Sequence, residues 1–480
     1  MKRLWRLWRD RARLRNTPLF DADWYLSSYP DLTGLRRLGR SWTVDPAWHY
    51  LTHGAAEGRD PGPLFSSSGY RLQAETGRQN PLLHHLDRLQ ANTPLPQAGL
   101  PSLPGMLTHQ QGPVLLVFAH QALGQQFGAE RSLLHLLDRA LRAGMVPEVA
   151  LPQCLDPGYL AAIRARARRV HVLPCPWRRA GRVPHPATLA RIERLIRDSG
   201  AIELHQNTLV LDAPLLAARR AGVPAVVHLR ERPDQDDELC ARLGQGAEPL
   251  RSALLAQADR FIANSEATAR WIDPEGAMPS DRLVVLPNSA DPDLAALPFA
   301  PQNPLRVGLI GSNTAKKGIG DLRAVAQLAA ARGLALRFVL IGPATADLAA
   351  LGPLPDNLQH AGYADGPVAA LAQVDVVLSL SHFAESYGRT VLEALTAGRP
   401  VICYDRGTPP ALLGDSGAGR VVAADDPAAV VGALAELTAS PDLLAAASAA
   451  ARGRAADLAA AAGAVPDALI FGVPRIEQQT

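Results

Sequence analysis

The stretch Val374-Asp375-Val376-Val377-Leu378-Ser379-Leu380-Ser381-His382-Phe383-Ala384-Glu385-Ser386-Tyr387-Gly388-Arg389-Thr390-Val391-Leu392-Glu393, followed by Ala394 to Gly398 and Pro400 to Tyr404, reads as strand, loop, helix and strand. Residues 374–379 form the first strand, and the loop Leu380 to Ser386 contains Glu385. A helix opens near Gly388, carries Glu393 and stops at Gly398, a natural terminator. Pro400 and the strand Val401-Ile402-Cys403-Tyr404 follow at once. Glu385 therefore falls at a strand's carboxyl end, directly before a helix N-terminus. The amides of Arg389, Thr390 and Val391 point outward there and favour an anion such as a diphosphate. One construction offers a carboxylate for hydroxyl groups and a neutral cradle for phosphate.

The same alternation extends outward from this stretch. Val114 to Ala119 is a short buried-strand run, followed by a glycine-bearing loop and a helix over Glu130 to Ala143. Ala201 to Leu204, Ala225 to Leu229, Arg260 to Ala263 and Leu283 to Leu286 read as further strands. A second series opens with Leu305 to Ile310 and continues through Leu336 to Ile341. Alternating strands and helices imply parallel sheets covered on both faces. The break at Pro298 to Pro304 divides the pattern into a domain over 113–298 and another over 299–466, with a tail over 467–480. The expected architecture is α/β: two Rossmann-like doubly wound domains facing a cleft, preceded by a small, mainly helical module. A cleft between two such sheets is a natural ligand site, because both offer carboxyl-end loops to it.

The first 112 residues follow other rules. Lys2 to Arg15 carries seven basic residues and one acid, interleaved with Leu4, Trp5, Leu7, Trp8 and Leu14. On a helix Trp5, Trp8 and Ala12 share a face, which suits either an anionic membrane interface or a solvated arm packed on the body. Residues 16–92 hold a short repeat. Phe20 precedes Trp24-Tyr25, and Pro46-Ala47-Trp48-His49-Tyr50 follows; Phe65 precedes Tyr70, and Pro81-Leu82-Leu83-His84-His85 follows. Two copies of a helical unit can bury a seam that one could not. His49 and His53 lie four apart, as two ligands on a helix face would, but no third ligand is evident and packing is the expected role. Residues 93–112 are proline-rich and aperiodic, the signature of a linker.

Composition narrows the function classes. The chain has 480 residues, 47% hydrophobic, 20% charged and 5% aromatic, with 49 basic against 46 acidic side chains. A net charge of +3 argues against a whole-protein nucleic-acid binder, whose phosphate contacts need a basic face. Cys154, Cys175, Cys240 and Cys403 are far apart, as expected of reduced thiols in a cytoplasmic protein rather than a disulfide framework or a zinc site. No run of 18 uncharged apolar residues occurs, so no transmembrane helix is expected. The basic start has no apolar core or small-residue cleavage site and is not read as a secretory signal.

The segment from Glu385 to Glu393, with Ala394 to Pro400 behind it, resembles family four of the retaining GT-B glycosyltransferases, whose signature is two glutamates separated by seven residues. The resemblance implies that Glu385 faces the transferred sugar and Glu393 binds the nucleotide ribose. Tyr387 and Gly388 would offer backbone contacts to the sugar, and Arg389, Thr390 and Val391 the helix amides. Gly311-Ser312-Asn313-Thr314-Ala315-Lys316-Lys317-Gly318 follows the first strand of the second domain, where the family carries an arginine and, five positions later, a lysine for the donor diphosphate. Lys317 matches the lysine; Ser312 stands where the arginine would. Asn288 in Leu286-Pro287-Asn288-Ser289-Ala290-Asp291 matches the family's Asn-Gly-x-Asp, with Ser289 for glycine. Phe261-Ile262-Ala263-Asn264-Ser265 matches the end of the first domain. Gly124 to Glu130, with Gly128, resembles the family's glycine-rich loop, and Asn207 lies at a strand end lining the cleft. Either Arg230 or His228 stands where relatives place a catalytic histidine. The segment around Asp60 to Phe65 resembles a repeat found beside glycosyltransferases of bacterial cell-surface polysaccharide systems. The resemblance spans about Gly112 to Ala464.

These expectations combine into a retaining transferase that moves a sugar from a nucleotide-diphosphate sugar to a glycan or lipid-linked acceptor. It would sit in the cytoplasm or at the inner face of the cytoplasmic membrane, with peripheral contact through residues 1–15. No cofactor is expected. No metal is expected either: Asp234-Gln235-Asp236 and Asp291-Pro292-Asp293 read as turns, and Lys317 with the helix N-terminus replaces a cation's charge. The competing readings are another GT-B enzyme, such as a nucleotide-sugar epimerase or a phosphorylase, and a non-catalytic scaffold for polysaccharide assembly. A phosphorylase would need a pyridoxal lysine, for which no clear candidate exists.

Overall fold

The computed structural model describes residues 2–34, 44–91, 101–122, 124 and 128–472. The chain forms two compact units. The first contains the N-terminal part through Leu229, Glu238–Phe261 and the chain from Phe471; the second contains Arg230–Asp237 and Ile262–Ile470.

The first unit opens with the helix Lys2–Arg15 and continues through short capped helices. The side chains of Asp21, Asp45, Ser66 and Asn80 accept amide hydrogens of the first turns they precede, and Pro46 and Pro81 open two of those helices. The two segments make matching contacts. The Tyr25 hydroxyl meets His49 Nδ1 at 2.9 Å, and the Tyr70 hydroxyl meets His84 Nδ1 at 3.0 Å. Phe20 and Phe65 pack on Tyr25 and Tyr70 respectively. Both copies share one core with Leu14, Tyr50 and Leu82, each fully buried aromatic or leucine contributing on the order of 2 kcal/mol. His53 meets the Thr52 hydroxyl at 2.8 Å and stacks on His49.

Six strands follow in this unit, β1 (Ser102–Pro104), β2 (Val114–Phe118), β3 (Val146–Leu151), β4 (Arg169–Val172), β5 (Ala201–Gln206) and β6 (Ala225–Leu229); β7 (Arg260–Ala263), at the unit boundary, and β8 (Leu283–Val285), counted with the second unit, complete a sheet in the order β1-β4-β3-β2-β5-β6-β7-β8. The pairs from β4 through β6 are parallel, and β1 is antiparallel to β4. β1 corrects the linker expectation over 93–112. Ser102, Leu103 and Pro104 pair with His171, Val170 and Arg169, so this part of the segment is an edge strand, where proline is tolerated. Residues 92–100 lie outside the described residues.

The second unit holds β9 (Leu305–Ile310), β10 (Leu336–Ile341), β11 (Leu358–Gly362), β12 (Val376–Ser379), β13 (Val401–Tyr404) and β14 (Gly419–Val422), ordered β11-β10-β9-β12-β13-β14 and parallel throughout. Strand alternation fills two cores. Phe338 and Leu340 face one, shared with the helices Ile319–Ala331 and Pro427–Leu437; Val339 and Ile341 face the other, shared with Arg389–Thr396 and Pro441–Ala464. The order reverses between β9 and β12, and the crevice beyond the strand ends at such a switch point is where doubly wound sheets bind ligands. β12 starts two residues later than its apolar run, because the Asp375 carboxylate is held by the Arg306 guanidinium at 2.7 Å and the Arg306 amide at 2.9 Å. Among the described residues, no single helix is long and apolar enough to cross a membrane.

Candidate active site

The loop between β12 and the helix Arg389–Thr396 is pinned from several sides within the second unit. The Ser386 carbonyl accepts from Ser265 Oγ at 2.6 Å and Thr408 Oγ1 at 3.0 Å, and the Ser386 hydroxyl donates to the Arg230 carbonyl at 2.6 Å. The Thr408 amide donates to the Glu385 carbonyl at 3.2 Å. Gly388 caps the helix at φ 88°, a left-handed conformation that glycine adopts without strain, and a side chain there would press on Pro409. No side chain caps this N-terminus, and the Val391 and Leu392 amides donate to the Gly388 carbonyl at 3.0 and 3.2 Å.

Lys317 reaches into this loop. Its Nζ lies 2.7 Å from Glu385 Oε1, and the Ser381 hydroxyl donates to the same oxygen. Burial pushes the Glu385 carboxyl up, but the Lys317 ammonium and the Ser381 hydroxyl outweigh it and hold the group below its ordinary range. Lys317 also sits over the Phe383 ring at 4.8 Å. Its neighbour Lys316 turns to Asp236 at 3.6 Å. The turn Ala315–Lys317 ends at Gly318, φ 80°, where any side chain would collide with the Leu380 carbonyl. Lysine and glutamate are thus delivered by the ends of β9 and β12, adjacent strands of the sheet.

The other expected residues of this unit have partners of their own. Arg230 Nη1 donates to Asn288 Oδ1 at 3.1 Å, and the Tyr387 hydroxyl donates to the Asn288 carbonyl at 3.3 Å. Burial pushes the Tyr387 phenol up to about 12. Arg389 donates to the Ser289 carbonyl at 3.1 Å and pairs with Glu393 one turn on at 3.5 Å; Glu393 is buried. Thr390 and Val391 form the first turn, and Gly311 follows β9 with its amide on the Ile341 carbonyl. The Ser312 hydroxyl is 3.3 Å from that of Thr314.

His228 belongs to the first unit, at the end of β6, and is buried there. Its Nε2 is 3.0 Å from His205 Nδ1; His205 Nε2 is 2.9 Å from Glu203 Oε2, and the other Glu203 oxygen meets Arg260. Phe471 stacks on His205 at 5.8 Å. Asn207 is buried too, its amide on the Phe118 carbonyl and its side chain on the Ala129 carbonyl. Gly128 opens the helix Gly128–Arg142, where its carbonyl accepts from Ser132. Residues 125–127 of the glycine-bearing loop lie outside the described residues.

Both carboxylate pairs are turns. Asp234 sits in a 3-10 turn and binds Arg232, and Asp291 caps another through the Asp293 amide. Among the described residues, Asp321, His382 and Asp425 bring three ligand atoms within 4.8 Å. Tyr404 and His382 already bind Asp321, and Arg406 holds Asp425, so a cation there would face a guanidinium. Sequence reasoning assigned no role to Ser381, Phe383 or Thr408, which meet Glu385, Lys317 and Ser386. The Asn264-Ser265 motif was legible, but its role in anchoring Ser386 was not.

The sequence matches the glycosyl transferase 4-like domain over residues 127–289 and the glycosyl transferases group 1 family over residues 304–440. Both α/β domains are glycosyltransferase domains. No curated protein matches the sequence. Among solved structures, these domains are similar to Anabaena HepE in complex with UDP and glucose, with TM-score 0.58 and 18% identity over 75% of this chain and 100% of that one. The sucrose-phosphate synthase of Thermosynechococcus elongatus aligns with TM-score 0.55 and 16% identity over 76% and 100% of the two chains. S. aureus TarM aligns with TM-score 0.57 and 12% identity over 72% and 96%. At these identities the likeness shows the fold, two parallel-sheet α/β domains of the GT-B glycosyltransferase kind.

Proposed function

We propose that this glycosyltransferase is a retaining, metal-independent enzyme that moves a sugar from a nucleotide-diphosphate sugar to a glycan or lipid-linked acceptor in bacterial cell-surface polysaccharide synthesis. The observation that carries the reading is the Lys317–Glu385 pair beneath an uncapped helix N-terminus at the end of β12. A diphosphate seated there would meet Lys317 and the first-turn amides, while Glu385 takes sugar hydroxyls and Glu393 the ribose. HepE has been solved with UDP-glucose, which supports a nucleotide-sugar donor. As the glycosidic bond breaks, negative charge grows on the leaving diphosphate, and stabilising it is the main catalytic task. With no enzyme nucleophile assigned, the reading is front-face attack, in which the leaving phosphate helps deprotonate the acceptor. Arg230, tied to Asn288 and Ser386 in the second unit, is the preferred candidate beside the reacting sugar; His228 is enclosed by its own histidine–glutamate chain.

Contact with an anionic membrane surface through residues 1–15 belongs to the same proposal. Leu14 is buried and Arg11 and Arg13 pair with Asp45 and Asp87, while Trp5 and Trp8 stand 66% and 59% exposed beside exposed Arg6, Arg9 and Arg15. The catalytic reading is tested by Glu385→Gln against a panel of UDP- and GDP-sugars. Turnover should fall by orders of magnitude with nucleotide binding retained; activity within a few-fold of wild type would sink the assignment. Lys317→Ala should lower turnover more than affinity, and Lys316→Ala much less. A non-catalytic scaffold would show neither transfer nor donor hydrolysis with any sugar.

A further inference from the structure

We propose that the seam between the helical repeat module and the first α/β domain is a saccharide-binding site for the glycan chain of the acceptor, an inference that rests on the glycosyltransferase reading above. A cavity of about 470 Å³ lies there, wholly within the first unit. The domain supplies residues just beyond the carboxyl ends of three neighbouring strands: Gln121 after β2, Gln153 after β3 and Trp177 after β4. Ligands of doubly wound sheets bind on this edge. The module supplies Trp24, Tyr29 and Arg59.

The lining has the chemistry a sugar ring requires. A pyranose presents C–H faces to aromatic rings and a rim of hydroxyls to amides, carboxylates and guanidinium groups. Trp24 and Tyr29 meet edge to face, with centroids 6.3 Å apart at 84°. The Arg59 guanidinium lies over Tyr29 at 4.9 Å and is fixed by Asp31 at 3.0 and 2.8 Å and by Glu57 at 2.6 Å. Arg179 lines the same cavity, and its guanidinium has no acceptor among the described residues.

Two further features favour a chain over a single sugar. A second cavity of about 580 Å³ shares Trp24 and Pro176 with the first, so Trp24 stands between two chambers. Its wall includes Asp212, a buried carboxylate whose Oδ1 has no hydrogen-bond partner. That oxygen is enclosed by protein, and the carboxylate's charge faces Arg178 and Arg182. The two sides of the seam are held in register. Gln153 Nε2 donates to the Glu57 carbonyl at 2.9 Å and the Cys154 amide to Ser68 Oγ at 3.2 Å. A binding surface fixed before the ligand arrives loses less entropy on binding.

The test uses the full-length protein with maltohexaose, chitohexaose and hyaluronan hexasaccharide as probes, read by tryptophan emission and thermal shift, with UDP titrated in parallel. At least one probe should bind with a Kd below about 10 mM, and Trp177→Ala and Arg179→Ala should each weaken it by about tenfold or more. UDP affinity should be unchanged in both variants, which also shows that they fold. Failure of all three probes, or binding that survives both substitutions, overturns the site. A probe that binds through Trp177 while UDP and UDP-sugars do not leaves the site standing and removes the donor reading instead.

Discussion

Replacing Lys317 with alanine tests the centre of the candidate site without a substrate. The wild-type Nζ and Oε1 are 2.7 Å apart, with side chains 27% and 15% exposed, so solvent screens the pair only in part. Breaking a fully buried pair costs roughly 3 to 5 kcal/mol; partial exposure brings the expected loss here to about 2 to 3 kcal/mol. The cost is the orphaned carboxylate, left with Ser381 alone. The pH dependence follows from the direction of the shift. In the wild type, Glu385 is held low, so the pair's contribution is present above the unfolded carboxyl value and fades as pH falls through the folded one. In the variant the cation is gone and burial dominates, so the folded value rises and the penalty grows with pH. The deficit is therefore full near pH 8 and shrinks toward pH 4. Scanning calorimetry should show the second unit melting about 4 to 12 °C lower at pH 8, and less than half as much lower near pH 4.5. Adding Glu385→Gln should recover more than half of the loss, a coupling above about 1 kcal/mol. A shift under about 2 °C at pH 8, or an equal one at both pH values, would refute the reasoning.

Three other outcomes follow from the same kind of argument. Burial pushes the Asp60 carboxyl well above its ordinary value while its Oδ1 accepts the Ser67 amide, so its share of stability is full in acid and lost as pH rises through the folded value. Asp60→Asn keeps the acceptor and should raise Tm by about 2 to 4 °C at pH 8 with no gain near pH 4; a lower Tm at pH 8 would contradict this. Glu203→Gln strips the charge that serves both Arg260 and His205 and should cost the first unit about 2 to 4 kcal/mol by urea denaturation, so a loss below about 0.5 kcal/mol would remove the chain's structural importance. Transfer should survive excess chelator, because Lys317 and the helix N-terminus supply the positive field. Complete loss, with recovery on adding manganese, would overturn metal independence.

The strand–loop–helix–strand order around Glu385 was legible because each boundary carries its own local signal: an apolar run, a glycine at each end of the helix, and a proline before the next strand. β3 was not, although it is fully buried. Its sequence Val146-Pro147-Glu148-Val149 carries a proline and an acid, which read as surface. Glu148 is held inside by Arg168 at 2.8 Å and His171 at 2.9 Å, and those partners lie some twenty residues on. β14 was missed for the opposite reason: Gly419 and Arg420 belong to an exposed edge, where periodicity fades. In the site, the glutamate spacing and the lysine before Gly318 marked the pair. Ser265, Thr408 and Arg230, which fix the loop, come from three distant segments, and no local pattern joins them.

The stacking of Phe471 on His205 has a consequence for biogenesis. The residue that closes over this histidine chain lies more than two hundred positions beyond the last residues of β6. At ordinary translation speeds, on the order of tens of seconds separate the emergence of the two. During that interval the nascent first unit presents His205 without its aromatic cover. The ring contact that covers this histidine chain therefore forms only once residue 471 has been made, long after β6.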